Sequence, residues 1–408
     1  MTKLPVGWEI KRLDEIADVV MGQSPPGSSY NEHGEGQPFF QGKKEFGEVH
    51  PTVRKYTTAG TKFAKAGDIL MSVRAPVGPT NIADIDCVIG RGLAAIRAKS
   101  VVSQSYLRWT LKHLEIDIQS KGTGTTFDAI TGETLRGTLI ALPPLEEQQE
   151  IVEILEDHLS RLDAALADVK QAKTKAAQFR RSLLQAAFTG NLRTDGTSFI
   201  TEPPSHWLSL SLGTLCCPVE KVDPVSLGRD DFLYVDIGAL EPSSSSLENV
   251  IQIPTANAPG RARQLIRNGD SIFATVRPYM KKVAYIPKEF DGEIASTGFC
   301  VLRPIQEKLH PKFLFYFLLS DQLLDQVLPL QRGVSYPAIR DNDLKKALMP
   351  APPIDEQNKI VEILEGHLSR LDASVSLADA MEKQSNGLRR SLLQAAFIGQ
   401  LTKEVASV

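Results

Sequence analysis

The sequence predicts an α+β protein in which two mixed α/β globular blocks alternate with two long helices, the whole built as an internal repeat. Three observations predict it. First, PPLEEQQEIVEILEDHLSRLDA from Pro143 returns as PPIDEQNKIVEILEGHLSRLDA from Pro352, and RRSLLQAAFTGNL from Arg180 returns as RRSLLQAAFIGQL from Arg389. Both returns are offset by 209 residues (352 − 143 and 389 − 180), so the stretch between them holds no net insertion, as a helix in register requires. Second, within these stretches apolar residues step by four and three, the seam of a long helix. Third, the segments between them echo one another faintly and mix short strand-like runs with helical ones.

The elements follow in order. In the first block, 1–142, Trp8, Leu13 and Ile16 match Trp207, Leu212 and Leu215 of the second. Gly67 to Arg74 (GDILMSVR) reads as a short strand and resembles Gly269 to Arg277 (GDSIFATVR) with one residue inserted, which aligns Arg74 with Arg277. Gly92 to Arg97 matches Gly298 to Arg303, and Gly124 to Ile130 parallels Gly333 to Ile339. Tyr106 to Leu114 and Phe313 to Leu324 read as helices. The first long helix, within 143–192, starts after paired prolines with Glu146 and Glu147 where the helix dipole favours acid, and stops at Gly190. Its seam is Leu155, Leu159, Leu162 and Leu166. The second block is 193–351. The second helix, within 352–408, repeats the prolines, the acids (Asp355, Glu356), the stop (Gly399) and the seam (Leu364, Leu368, Leu371, Val375). At 1.5 Å per residue each helix runs roughly 60 Å, and packing the two together most simply buries both stripes.

Composition sets the outer bounds. The chain has 408 residues, 42% hydrophobic and 23% charged, enough for two to four domains with real cores. No apolar run is long enough for a membrane helix, and Met1 to Ile10 carries charge and proline where a signal peptide needs an apolar run, so a cytoplasmic protein without membrane contact is expected. Four cysteines without a C-x-x-C pair indicate neither a disulfide framework nor a zinc site. The net charge of −3 hides a segregated distribution. Gly42 to Lys112 carries 12 Lys/Arg against 5 Asp/Glu, and Arg261 to Arg303 carries 8 against 4; Leu145 to Lys170 reverses this, with 8 acidic residues and 2 basic ones. Two basic blocks on an acidic spacer suit anion binding at two places, although solvated surfaces alone would also spread charge unevenly.

The motifs of catalysis are missing. There is no G-x-x-x-x-G-K-[ST] phosphate loop, no G-x-G-x-x-G between a strand and a helix, and no G-x-S-x-G elbow. No N-P-P-[FY] segment is present, and His158 and His367 stand in H-L-S-R-L-D rather than H-E-x-x-H, so neither a catalytic residue nor a metal site is expected.

Nearly the whole chain resembles the specificity subunit of type I restriction-modification systems. The resemblance rests on the L/A-P-P-x-x-E-Q-x-x-I-V start and the R-R-S-L-L-Q-A-A-F-x-G end of each helix, and on the G-D-I-L-x-S-V-R segment of the blocks. It implies that the blocks are target recognition domains, each reading one half of a bipartite, asymmetric site in double-stranded DNA. It further implies an antiparallel coiled coil that sets the half-site spacing and docks methyltransferase subunits, two of them, which in turn bring restriction subunits. Such a subunit binds no cofactor; its partners use S-adenosylmethionine, ATP and Mg.

Phosphate contacts can come from any well-placed cation, whereas base edges need Arg, Lys, Gln or Asn held rigidly. In the first block Gln41, Lys43 and Lys44 surround a glycine, Arg74 ends a strand, and Arg91 lies between two glycines. Thr125 and Thr126, in a glycine-rich run, offer hydroxyls to phosphate. In the second block the candidates are Arg261, Arg263, Arg277, Lys281, Arg332, Ser335 and Tyr336. Any one of them read alone is equally a solvated surface group. Arg180-Arg181 and Arg389-Arg390 fit better as partners for the acidic half of a neighbouring helix. The rival reading is a coiled-coil scaffold whose blocks bind no DNA.

Overall fold

The computed structural model describes residues 4–122, 128–192, 204–240 and 245–402. The chain divides into two compact units, 1–169 with 380–408, and 170–379. Each unit therefore combines one globular block with a stretch of both long helices.

In the first unit a four-stranded antiparallel sheet runs in the order Ala17–Met21, Leu93–Ala98, Ile69–Ser72, Thr80–Ile82. A five-stranded sheet orders Tyr30–Asn31, Tyr56–Thr57, Gln37–Phe40, Cys87–Ile89 and Phe63–Ala64, with Phe39 and Val88 paired in parallel. The ends of the block meet where Glu9–Arg12 pairs with Leu139–Leu142. The helix Gln104–His113 begins at Ser103, whose side chain accepts the Tyr106 N–H, a standard way to satisfy an orphan donor.

The second unit repeats the plan. Its four-stranded sheet runs Cys216–Cys217, Phe299–Pro304, Ser271–Ala274, Val283–Tyr285, and its second sheet runs Ile251–Pro254, Asp231–Val235, Ile294–Ser296, Ala262–Leu265. Leu208–Ser211 pairs with Leu348–Ala351. The apolar run expected as one helix over Phe313 to Leu324 is two, Pro311–Leu319 and Asp321–Val327. Ser320 separates them: its backbone is extended and its hydroxyl caps the second by accepting the Leu323 N–H.

The repeat extends to buried ion pairs. Asp68, almost fully buried, receives Nε and Nη2 of Arg97, both at 2.7 Å, and the Lys65 N–H. Asp270 receives Nε and Nη2 of Arg303, both at 2.9 Å, and the Arg267 N–H. A buried carboxylate is tolerable only when so satisfied. The G-D of each block thus ties the turn before the central strand to the strand beside it.

The long helices span Leu145–Thr189 and Ile354–Phe397. Each stops at a glycine with positive φ, Gly190 at 74° and Gly399 at 71°, a conformation that a Cβ disfavours. In the first unit Ile151, Leu155 and Leu159 share a core with Leu393, Ala396 and Phe397, and Arg389 pairs with Asp163. In the second, Ile360, Leu364 and Leu368 share a core with Leu184, Ala187 and Phe188, and Arg180 pairs with Asp372. Within each unit rising numbers on one helix meet falling numbers on the other, so the two helix stretches there run antiparallel. Leu162, Leu166, Leu371 and Val375 are half-buried. Of the remaining helix arginines, Arg181 reaches Asp321 of its own unit's block at 3.1 Å, and Arg390 bonds the Asn386 carbonyl one turn back on its own helix.

The P-P-x-x-E-Q motif fastens each helix to its block. Gln148, fully buried, donates to the carbonyls of Val101 and Pro143 and accepts the Ser103 N–H; Gln357 donates to Lys308 and Pro352 and accepts the His310 N–H. The preceding glutamate takes an indole: Trp8 Nε1 lies 3.0 Å from Glu147, and Trp207 Nε1 lies 2.9 Å from Glu356. Each of these amides has all its buried polar atoms paired, as burial demands.

Candidate nucleic-acid interface

In the first unit a cavity of about 520 Å³ opens where the two sheets' loops meet, and it gathers Gln41, Lys43, Lys44, Arg74 and Arg91, the five sequence candidates of this block that fall among described residues. Each is placed by its local backbone. Gln41 follows the strand Gln37–Phe40, and Lys43 and Lys44 open the 3-10 turn Lys43–Glu45, whose Glu45 side chain accepts the Gly42 N–H. Arg74 leaves the strand Ile69–Ser72, held by pairing with Ala129 and by the Ser72 hydroxyl on its carbonyl. Arg91 sits on a turn whose N–H reaches Ser24 Oγ at 3.3 Å. The turn is tight: a Cβ on Gly92 would lie 2.3 Å from the Gln41 carbonyl oxygen, so only glycine lets these two backbones approach. Among the described residues no carboxylate pairs with Lys43, Lys44, Arg74 or Arg91. Four cations without carboxylate partners among the described residues, around a concavity with a single amide, have the charge and spacing that suit an anion. Thr125 and Thr126 lie outside the described residues.

The second unit presents its candidates differently. Arg277 has a φ of 51° and Lys281 a φ of 47°, bracketing the turn Pro278–Met280. Left-handed backbone at two non-glycine residues is strain, of order 1 kcal/mol or more each, that persists only where surrounding structure enforces it. The Arg277 N–H donates to the Pro337 carbonyl at 2.7 Å, and its guanidinium carbon lies 5.3 Å from the centre of the Tyr336 ring. Tyr336 and Ser335 are exposed, on the loop that also carries Arg332, whose Nη2 lies 3.7 Å from Asp343. Lys281 is turned inward, to Asp321 at 2.6 Å and the Leu319 carbonyl at 2.9 Å, which leaves it little freedom for a ligand. Arg261 precedes the strand Ala262–Leu265 of the other sheet and Arg263 lies within it; Arg261 is exposed, and Arg263 lies 3.6 Å from Asp223.

One sequence alignment is corrected. Ser72 pairs with Leu93, and Ala274 with Phe299. The Ala75 N–H goes to Asp128 and the Arg277 N–H to Pro337, two carbonyls exactly one repeat apart. The strands therefore align without an insertion: Arg74 corresponds to Val276, and Arg277 to Ala75. The shared V-R dipeptide suggested an equivalence that hydrogen-bond register denies, and a one-residue shift sends a side chain to the opposite face.

The paired tryptophan and glutamate, the buried glutamine and the carboxylate–arginine fork occur once in each unit. The model of the type I restriction modification DNA specificity domain matches residues 5–171 and 241–375. The chain belongs to that family. Type I specificity relatives include a putative MjaX specificity subunit of Methanocaldococcus jannaschii, 39% identical over 47% of this chain and 45% of that protein, so this match spans less than half of the relative. The EcoDI specificity subunit of Escherichia coli is 23% identical over 98% of this chain and 90% of its own. Among solved structures, the HsdS subunit from Thermoanaerobacter tengcongensis is 40% identical over 46% of this chain and 48% of that one, with a TM-score of 0.42. These relatives carry the name of specificity subunits of type I restriction enzymes. No helix among the described residues is long and apolar enough to cross a membrane.

Sequence reasoning missed the fork Asp68–Arg97 and its counterpart, although both residues stood inside the matched segments. The signal was there: an aspartate just before a buried strand and a strand arginine that recur together in both copies.

Proposed function

We propose that this type I specificity chain is the DNA-reading, non-catalytic subunit of a methyltransferase and endonuclease complex. Residues 1–142 and 193–351 are its two readers, and the helices within 143–192 and 352–408 are its spacer. The readers differ in surface, so the target is a bipartite, gapped and asymmetric sequence in duplex DNA. The spacer docks methyltransferase subunits, two of them by the symmetry of the repeat, and through them restriction subunits. The observation that carries the reading is the convergence of Gln41 with four unpaired cations on one cavity of the first unit. Cations without carboxylate partners suit phosphate, and a fixed amide or guanidinium beside them suits base edges.

The test is an adenine-methylation map of DNA from cells that co-express the chain with its methyltransferase subunit. A two-part gapped motif, methylated on both strands, is expected. The absence of any motif from a soluble, verified complex would overturn the reading and return the chain to a scaffold that binds no DNA.

A further inference from the structure

Within the second unit the cations are not equivalent. Lys281 is spent on Asp321, Lys282 donates to the Ile237 carbonyl at 3.0 Å, Arg303 is locked on Asp270, and Arg263 and Arg332 stand beside carboxylates. Arg277 has no carboxylate partner among the described residues, and it is exposed. It is also the most constrained. Its backbone is left-handed at φ 51°, its N–H is fixed to the Pro337 carbonyl, and Pro278 follows it. The side chain then lies over Tyr336, a ring that is 72% exposed and contributes little to the core.

An exposed tyrosine set over a free guanidinium does not stabilise the fold much; a surface cation–π contact contributes about 0.5–1 kcal/mol. Its effect is on the arginine. A free arginine side chain loses rotamer entropy when it docks, and bracing it beforehand lowers that loss. A planar fork held at a fixed angle is what bidentate recognition of guanine O6 and N7 in the major groove needs, whereas phosphate contact tolerates a swinging lysine. We propose that Arg277 reads a guanine in the half-site of the second block, and that Tyr336 is the positioning residue that holds its fork. The inference rests on the DNA-reading function above. The corresponding position in the first block is Ala75, so this contact belongs to one half-site alone.

The experiment uses the full chain with its methyltransferase subunit and compares methylation motifs and duplex binding for the wild type, Arg277→Ala, Arg277→Lys, Tyr336→Ala and Tyr336→Phe. Arg277→Ala is expected to relax one G·C position in one half of the motif, with discrimination there falling on the order of ten- to hundredfold. The other half stays intact. Arg277→Lys, which keeps the charge and loses the fork, gives the same relaxation. Tyr336→Ala relaxes the same position more weakly, and Tyr336→Phe, which keeps the ring, restores it.

The inference is overturned if the wild-type motif has no G·C pair in that half, or if Arg277→Ala leaves the motif unchanged. It is also overturned if both arginine variants weaken binding evenly across sequences, the mark of a phosphate contact. If the wild type yields no motif at all, it is the DNA-reading function that fails. A Tyr336→Ala variant that loses affinity without relaxing any position would make the ring a wedge between bases rather than a brace.

Discussion

At the scale of single residues, His310 shows how a cap can carry a charge state. Its Nδ1 accepts the Lys312 N–H at 3.2 Å at the start of the helix Pro311–Leu319. Only an unprotonated nitrogen can accept, and burial holds the imidazole below its ordinary value of 6.5, with Glu365 pulling upward and Lys312 downward. The unfolded chain thus takes up the proton first. Stability from this cap is complete above about pH 6.5 and is lost as pH falls through the unfolded value towards the lower folded one. Thermal unfolding between pH 7.5 and 5 should show a steeper loss of Tm for the wild type than for His310→Asn, which caps without titrating. Equal slopes for the two proteins would exclude the cap as the source.

At the scale of elements, the helix repeat was legible because helices in register forbid insertions, and its ends were marked by prolines, acids and glycines. What the repeat could not show was how deeply each seam position is buried. Leu364 is fully buried among Leu184, Ala187 and Phe188, whereas Leu371 is only half-buried two turns on. The apolar spacing is the same at both; Leu364 belongs to a core that also holds Phe313 and Phe317 of the globular block, and Leu371 does not. Leu364→Ala should therefore cost roughly 2–5 kcal/mol in chemical denaturation, and Leu371→Ala clearly less. Similar losses at both would mean that the helix pair, not the block, supplies the burial. The break at Ser320 was hidden for a related reason: an unbroken apolar run does not reveal that a hydroxyl within it caps a new helix.

At the scale of the whole molecule, the sequence announced two basic blocks through segregated charge but not how each deploys it. The first gathers Gln41, Lys43, Lys44, Arg74 and Arg91 from three separate loops, a convergence that no local pattern contains. In the second, three of the five candidate cations, Arg263, Lys281 and Arg332, stand beside carboxylates. Binding of cognate duplex should weaken log-linearly with salt. Lys43→Ala and Lys44→Ala should each reduce that slope by about 0.9 if the lysine meets a phosphate. Lys281→Ala should leave the slope where it is, and titrations at several salt concentrations would separate these cases.

The buried glutamine of each helix has a consequence for how such genes change. Gln148 grips Val101, Ser103 and Pro143 only through their backbone groups, and Gln357 does the same at Lys308, His310 and Pro352. Main-chain groups are common to every amino acid, so this joint places no demand on which side chains the neighbouring block carries. A crossover between two such genes within the helix codons would join a foreign block to a resident helix with this glutamine joint intact. The glutamine's part of the joint thus survives such an exchange, while the indole on the preceding glutamate and the shared apolar core are the demands that the incoming block must meet.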